Sequence, residues 1–362
     1  MESLVIRSEF WSGKRVLVTG HTGFKGSWLV LWLHARGAKI AGYALAPSTE
    51  PALWSLLGLT HEIRDGVADV RDLPALTRAF AAFRPEVVFH MAAQSLVRPS
   101  YEDPVETYST NVMGTVHVLE AVRRCPEVRV VVNVTSDKCY ENREWDRGYR
   151  ESDAMGGSDP YSGSKGCAEL VTAAYRNSFF PADTYREHGV GLASARAGNV
   201  IGGGDWAQDR LVPDLVRAAL DGRPARIRNP DSTRPWQHVL DPLHGYLMLA
   251  ERLWKEPGLA GGWNFGPAED DAVSVGKLAE LLVSQWGEGA GWAADAGPQV
   301  HEANYLKLDC SKARSQLGWR PKLALPVALD WTVEWYRAYA RRADLQVLCR
   351  EQLRRFEGLA AQ

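Results

Sequence analysis

The chain has 362 residues, of which 45% are hydrophobic and 24% charged, and 42 Lys and Arg against 44 Asp and Glu leave a formal net charge of −2. That balance speaks against a nucleic-acid footprint, which needs a basic excess or stripe, and a chain of this length buries enough surface to fold without disulfides. The first ten residues lack a signal-peptide core, the most apolar run (Trp28 to Leu33) is far short of a membrane span, and the five scattered cysteines form no C-x-x-C pair, so a cytoplasmic protein with no metal and no membrane partner is expected.

Arg15–Thr19 (RVLVT) predicts a strand, followed by a glycine-rich turn and an apolar helix that reaches Arg36 and stops at Gly37. Lys39–Leu45 predicts a second strand and Asp69 ends a third. Leu73–Phe83 predicts a helix with Asp72 as its N-cap and Pro74 in the first turn. Glu86–His90 and Arg129–Val134 predict two buried strands, separated by a long helical segment from about Val105 to Arg124. Strand–helix alternation at this spacing predicts an α/β fold, a Rossmann-type doubly wound parallel sheet with helices on both faces. Gly191–Ala195 predicts a sixth strand, and Gly198–Trp206 (GNVIGGGDW) a loop. Residues 1–195, joined by about 235–260, are expected to bind a dinucleotide. Residues 196–234 and 261–362 are expected to form a smaller, loop-rich C-terminal region against the carboxyl ends of the sheet, where such folds bind substrate.

The segment Val18–Gly26 (VTGHTGFKG) places Gly20, Gly23 and Gly26 at i, i+3 and i+6 between the first strand and its helix. Glycines there let the backbone approach a pyrophosphate and seat it on the helix N-terminus. The second strand ends Tyr43-Ala44-Leu45-Ala46, without the acid that usually grips the ribose 2′-hydroxyl, and Lys25 adds a positive charge inside the turn. The residues therefore leave NAD and NADP both open. Glu50 is expected too far along its loop to replace that acid. Asp69 has two readings, the adenine end of the cofactor or a cap on the loop that follows.

Tyr161 and Lys165 (YSGSK) stand four apart on one face of a predicted helix, and Thr135-Ser136-Asp137-Lys138 leaves the end of the fifth strand. A tyrosine with a pKa near 10 serves as a base at neutral pH only when cations lower that value. Lys165 and an oxidised nicotinamide would supply two.

These residues resemble the extended short-chain dehydrogenase/reductase family of nucleotide-sugar enzymes. More narrowly, FWSGKRVLVTGHTGFKGSW, FHMAAQ, TSDKCYENREW, RAGNVIGGGDW, RPWQHVL and HEANYLKLDCSKA resemble its 4,6-dehydratase branch that acts on CDP-glucose. The resemblance implies NAD as cofactor, held by Gly20, Thr22, Gly23, Phe24, Lys25, Gly26, Asp69, Val70, Ala92 and Ala93 together with Tyr161 and Lys165. It implies that Tyr161, with Ser136, removes the C4 hydroxyl proton while hydride passes to the cofactor. Asp137 then protonates the departing C6 hydroxyl, and the hydride returns to C6. Lys138 stands where related dehydratases carry Glu, and two roles stay open: neutral base at C5, or cation beside the enolate. Epimerases and reductases of the family need no such acid–base pair, and an idle dinucleotide sensor needs none of these groups. On the sugar-nucleotide side the resemblance points to Asn199, Arg210, Leu211, Arg234, Asn264, His301 and Tyr305, with Arg234 foremost for the diphosphate and a structural ion pair as its competing reading. Arg196, Arg226 and Arg228 are weaker candidates. A homodimer or homotetramer paired through the helices near Val105–Arg124 and Tyr161–Arg176 is likewise implied.

Overall fold

The structure, a computed structural model, describes residues 9–268, 271–295 and 306–360. In chain order the strands are β1 (Arg15–Thr19), β2 (Lys39–Ala44), β3 (Arg64–Val67), β4 (Val87–His90), β5 (Val130–Val134), β6 (Gly191–Ala197), β7 (Asn199–Ile201), β8 (Ala225–Ile227), β9 (Thr233–His238), β10 (Gly262–Phe265), β11 (Ala272–Ser274) and β12 (Trp292–Ala294). Seven of them form one sheet in the order β10-β6-β5-β4-β1-β2-β3, parallel throughout. Strand order reverses between β1 and β4, which opens a crevice at their carboxyl ends.

The central strands are apolar along their whole length because helices cover both faces; every residue of β4 and β5 is buried. The helix Phe24–Ala35 is apolar all round for a related reason: it packs beside the helices Leu240–Lys255 and Leu345–Gly358, and Gly26 through Leu33 are buried. It ends as the sequence predicts, at Arg36, with Gly37 at φ +83°. Asp72 caps the helix Leu73–Phe83 by accepting from the Ala75 amide at 2.9 Å.

Several boundaries differ from expectation. β3 stops at Val67, so Asp69 lies beyond the strand. The long helical segment begins earlier, at Val97, and is broken: Val97–Glu102 and Pro104–Tyr108 meet at Asp103, which caps the second, and Ser109–Met113 forms a wider turn before Gly114–Arg123. β6 runs two residues further than predicted, and part of the expected loop, β7, pairs in parallel with β9. β7, β9 and β11 form a three-stranded sheet and β8 with β12 a two-stranded one. Gly262–Phe265, expected in the substrate-binding region, adds to the main sheet beside β6.

Among the described residues no helix is long and apolar enough to cross a membrane, and no cluster of His, Cys, Asp and Glu is arranged to hold a metal ion. All five cysteines are free thiols.

Candidate active site

Close packing dictates glycine in the turn after β1. At Gly20, φ is +73° and a Cβ would lie 2.6 Å from the Ala92 nitrogen; at Gly26 a Cβ would lie 2.1 Å from the Gly20 carbonyl oxygen. Gly23 begins the helix Phe24–Ala35 without a side-chain cap, which leaves its first amides for an anion. Thr22 Oγ1 donates to the Leu45 carbonyl at 2.8 Å and ties the turn to the end of β2. Thr19 Oγ1 accepts from the amides of Met91 and Ala92 at 3.0 and 3.1 Å, so its own proton goes to His90 Nδ1 at 2.7 Å. Burial pushes His90 down to about 3, and the neutral ring then donates through Nε2 to Thr115 Oγ1 at 3.1 Å. This chain of bonds fixes the loop that follows β4. His21, inside the turn, packs its ring edge-on to Trp54 and bonds Asp65 Oδ1 at 2.7 Å, joining the turn to β3.

A cavity of about 940 Å³ runs from this turn to β8 and β9. All the residues expected at the cofactor line it: Gly20, Thr22, Gly23, Phe24, Lys25, Gly26, Asp69, Val70, Ala92, Ala93, Tyr161 and Lys165. So do Ser136, Asp137, Lys138, Asn199, Arg210, Leu211 and Arg234, and the weaker candidates Arg226 and Arg228. Glu50 also lines the cavity. Asp69 keeps both of its readings: it faces the cavity and caps its loop, accepting from the Arg71 amide at 2.8 Å and from that guanidinium at 2.6 and 2.9 Å. The Arg71 hydrogen bonds hold its carboxyl below the usual range.

Two expectations are corrected. Asn264 is fully buried in β10 and does not line the cavity; it accepts from the Tyr140 hydroxyl at 2.7 Å and donates to the Tyr149 carbonyl at 2.8 Å. Arg196 is a buried ion-pair partner of Glu169 at 2.8 Å and is likewise absent from the lining. In both cases side-chain direction on a strand decided the matter, and a motif match does not report direction. His301 and Tyr305 lie outside the described residues.

The reactive groups meet where β5 ends. Ser136 caps the short turn Asp137–Cys139: its Oγ accepts from the Lys138 amide at 3.2 Å and donates to Asp137 Oδ1 at 3.0 Å. The helix Pro160–Ser178 is capped by Asp159 and carries Tyr161 and Lys165 one turn apart, with the Tyr161 amide held by Ser100 Oγ at 3.1 Å. Burial lifts the Tyr161 phenol to about 12, Asp137 adding to the rise while the Ser136 hydrogen bond and Arg210 oppose it. Burial also lowers Lys165 to about 8. The Asp137 carboxyl is raised by burial, against the pull of Lys138, Ser136 and Arg234. Arg210 bonds Asp205 Oδ2 at 2.9 Å and Ser95 Oγ at 3.3 Å, tying the segment after β7 to the loop after β4.

Three contributors escape sequence reasoning. Tyr246 accepts from the half-buried Lys25 ammonium at 3.1 Å, and burial with Lys165 and Arg210 nearby brings Lys25 down to about 7. Asp205 orients Arg210. Asn111, in the wide turn, accepts from the Gln94 amide at 2.9 Å and donates to Ser164 Oγ at 2.8 Å, fastening the loop after β4 to the Tyr161 helix. Tyr246 and Asn111 are remote in sequence from the residues they hold, so no local pattern announces them; Asp205 is only five residues from Arg210, but a loop between them hides the pairing.

The family model described as GDP-mannose 4,6 dehydratase matches residues 17–330. The chain is 55% identical over 350 residues to a CDP-glucose 4,6-dehydratase of Salmonella typhimurium, covering 96% of this chain and 98% of that protein. Among solved structures, a UDP-glucose 4-epimerase of Thermus thermophilus in complex with NAD superposes with a TM-score of 0.75 at 26% identity, over 89% of this chain and 99% of that one. A dTDP-glucose 4,6-dehydratase of Streptomyces venezuelae, also with NAD, shares the fold with a TM-score of 0.77 at 23% identity, over 92% of this chain and 99% of that one. With a family model spanning most of its length and a curated relative matched nearly end to end, the chain belongs to the GDP-mannose 4,6 dehydratase family.

Proposed function

We propose that this protein converts CDP-glucose to CDP-4-keto-6-deoxyglucose and water with NAD as a resident cofactor. The observation that carries the reading is that Ser136, Asp137, Lys138, Tyr161 and Lys165 line one cavity together with Arg210 and Arg234. The high identity to the Salmonella typhimurium CDP-glucose 4,6-dehydratase supports the choice of nucleotide.

The residues present fit a dinucleotide. The uncapped helix start at Gly23 offers amides to a pyrophosphate, and the tight packing at Gly20 and Gly26 leaves the turn no bulk that would block it. Bound there, NAD would take a hydride from C4 and return it at C6. Tyr161 takes the proton of the C4 hydroxyl. Burial alone keeps that phenol protonated, so Ser136 and the positive groups around it must favour the phenolate once substrate is in place. Elimination needs an acid at C6 and a base at C5. A carboxyl raised by burial suits the first task, so Asp137 donates its proton to the leaving hydroxyl. Lys138 removes the C5 proton, which the adjoining ketone acidifies, and returns a proton to C5 as C6 receives the hydride; the proton gained by Tyr161 and the one lost from Asp137 balance through solvent. An epimerase has no use for this second pair. Asn199, Arg210, Leu211 and Arg234 receive the nucleotide diphosphate, for which a planar guanidinium is matched.

In this reading residues 1–195 with about 235–260 hold the cofactor, and 196–234 with the later chain hold the sugar nucleotide. A homodimer, alone or within a tetramer, is proposed from an exposed apolar strip formed by Tyr101, Val105, Tyr108 and Met113 on one helical segment and Leu170 on the adjacent helix, with Val105 at 77% exposure. The reaction and its charged ligands belong in the cytoplasm.

The test is incubation of purified protein with CDP-, UDP-, dTDP- and GDP-glucose, following the alkaline absorbance of a 4-keto sugar. Product from CDP-glucose is expected; no product from any of the four overturns the reading.

A further inference from the structure

Glu169 lies one helical turn beyond Lys165, and both it and Arg196 of β6 are only 4% exposed. The pair is bidentate, Arg196 Nε donating to Oε1 at 2.9 Å and Nη2 to Oε2 at 2.8 Å. Each carboxylate oxygen also accepts a hydroxyl: Thr135 Oγ1 donates to Oε1 at 2.5 Å and Ser194 Oγ to Oε2 at 2.7 Å. The remaining arm of Arg196 donates to the Tyr140 phenol oxygen at 2.7 Å, and Tyr140 donates onward to Asn264 Oδ1 at 2.7 Å. Thr135 immediately precedes Ser136, and Tyr140 immediately follows Cys139. The turn bearing Ser136, Asp137 and Lys138 is therefore held at both ends by one ion pair, and the carboxylate of that pair stands on the helix of Tyr161 and Lys165.

A buried ion pair is poor evidence of stability, because the cost of taking two charges out of water offsets much of their attraction. What a bidentate pair supplies is geometry, a fixed distance in a fixed plane. Geometry matters here because a misplacement of about 1 Å can cost about a hundredfold in rate.

We propose that the Glu169–Arg196 pair is a positioning clamp that fixes the Ser136–Asp137–Lys138 turn against the helix of Tyr161 and Lys165, so that oxidation at C4 and elimination across C5 and C6 act on one bound pose of the sugar. The proposal rests on the roles assigned above to those five residues.

Thr135→Val and Tyr140→Phe each remove one hydroxyl and leave the ion pair in place, which avoids stranding a buried charge as Glu169→Gln would. The measurements are kcat and KM with CDP-glucose, reduced-cofactor absorbance during turnover, and the melting midpoint. The clamp predicts a kcat at least fivefold lower in each variant with KM within twofold, reduced cofactor accumulating as elimination lags oxidation, and recovery of rate in Thr135→Ser, which keeps the hydroxyl. A kcat within fivefold of the parent in both variants, or a loss that Thr135→Ser does not recover, overturns it, whatever the melting midpoint does. Ser136→Ala and Tyr161→Phe in the same assay separate the two failures. If they keep full turnover, the assignment of the site itself falls; if they lose turnover while Thr135→Val and Tyr140→Phe do not, the clamp alone falls.

Discussion

The Ser136 hydroxyl donates to Asp137 Oδ1 at 3.0 Å, and the same hydroxyl is the hydrogen-bonding group that favours a Tyr161 phenolate. With one proton to give, Ser136 serves the oxidation group or the elimination group, but not both at once. Ser136→Ala is expected to slow turnover about 10²–10³-fold through loss of proton transfer. Because Ser136 is assigned to proton transfer and not to holding the diphosphate, KM for CDP-glucose should stay within a small factor; steady-state kinetics check both.

Lys138 separates the two halves of the reaction. In Lys138→Met, reduced cofactor should still form on mixing with CDP-glucose, while deuterium from solvent should no longer enter C5. Mass spectrometry of the recovered sugar reads this, and undiminished deuterium would remove Lys138 as the base.

Lys25 gives a pH dependence with a definite sign. Its pKa is depressed from the ordinary lysine value to about 7 in the folded chain, chiefly by burial. A base whose folded pKa is lowered weakens the folded state wherever the unfolded chain still holds the proton, increasingly as pH falls from the ordinary value toward 7, and levelling off below. Lys25→Met removes that opposition. The cofactor-free variant should therefore melt higher than the parent, by more at pH 6 than at pH 9, as scanning calorimetry at the two pH values would show.

Gly26→Ala tests the turn. Its Cβ would stand 2.1 Å from the Gly20 carbonyl oxygen, a backbone atom that moves only with the turn itself. Overpacking of this kind costs about 1–3 kcal/mol, and NAD affinity measured by titration calorimetry should fall with it.

Arg234→Met should raise KM for CDP-glucose with kcat little changed, since the guanidinium is assigned to hold the diphosphate and not to take part in bond breaking. A fall in kcat at constant KM would move Arg234 to the reacting end.

Much of the sheet was legible because apolar β-branched runs such as RVLVT and VVVNV alternate with helical stretches, and because Asp72 and Gly37 mark helix ends by local chemistry. The glycine turn and the Tyr161–Lys165 spacing were legible for the same reason: their geometry is set within a few residues. Asn264 was misplaced because neighbouring motifs say nothing of which face of β10 its amide takes. Tyr246 and Asn111 could not be read at all, since Lys25, Gln94 and Ser164 reach them only through the tertiary fold.

The cavity is continuous from the glycine turn to Arg234, so both ligands share a single chamber. In the proposed reaction a hydride taken from one carbon of the sugar would be handed back to another before the sugar nucleotide departs. Such a catalyst draws no reducing power from the cell and contributes none, and its output stays level when the surrounding balance of oxidised and reduced nicotinamide swings.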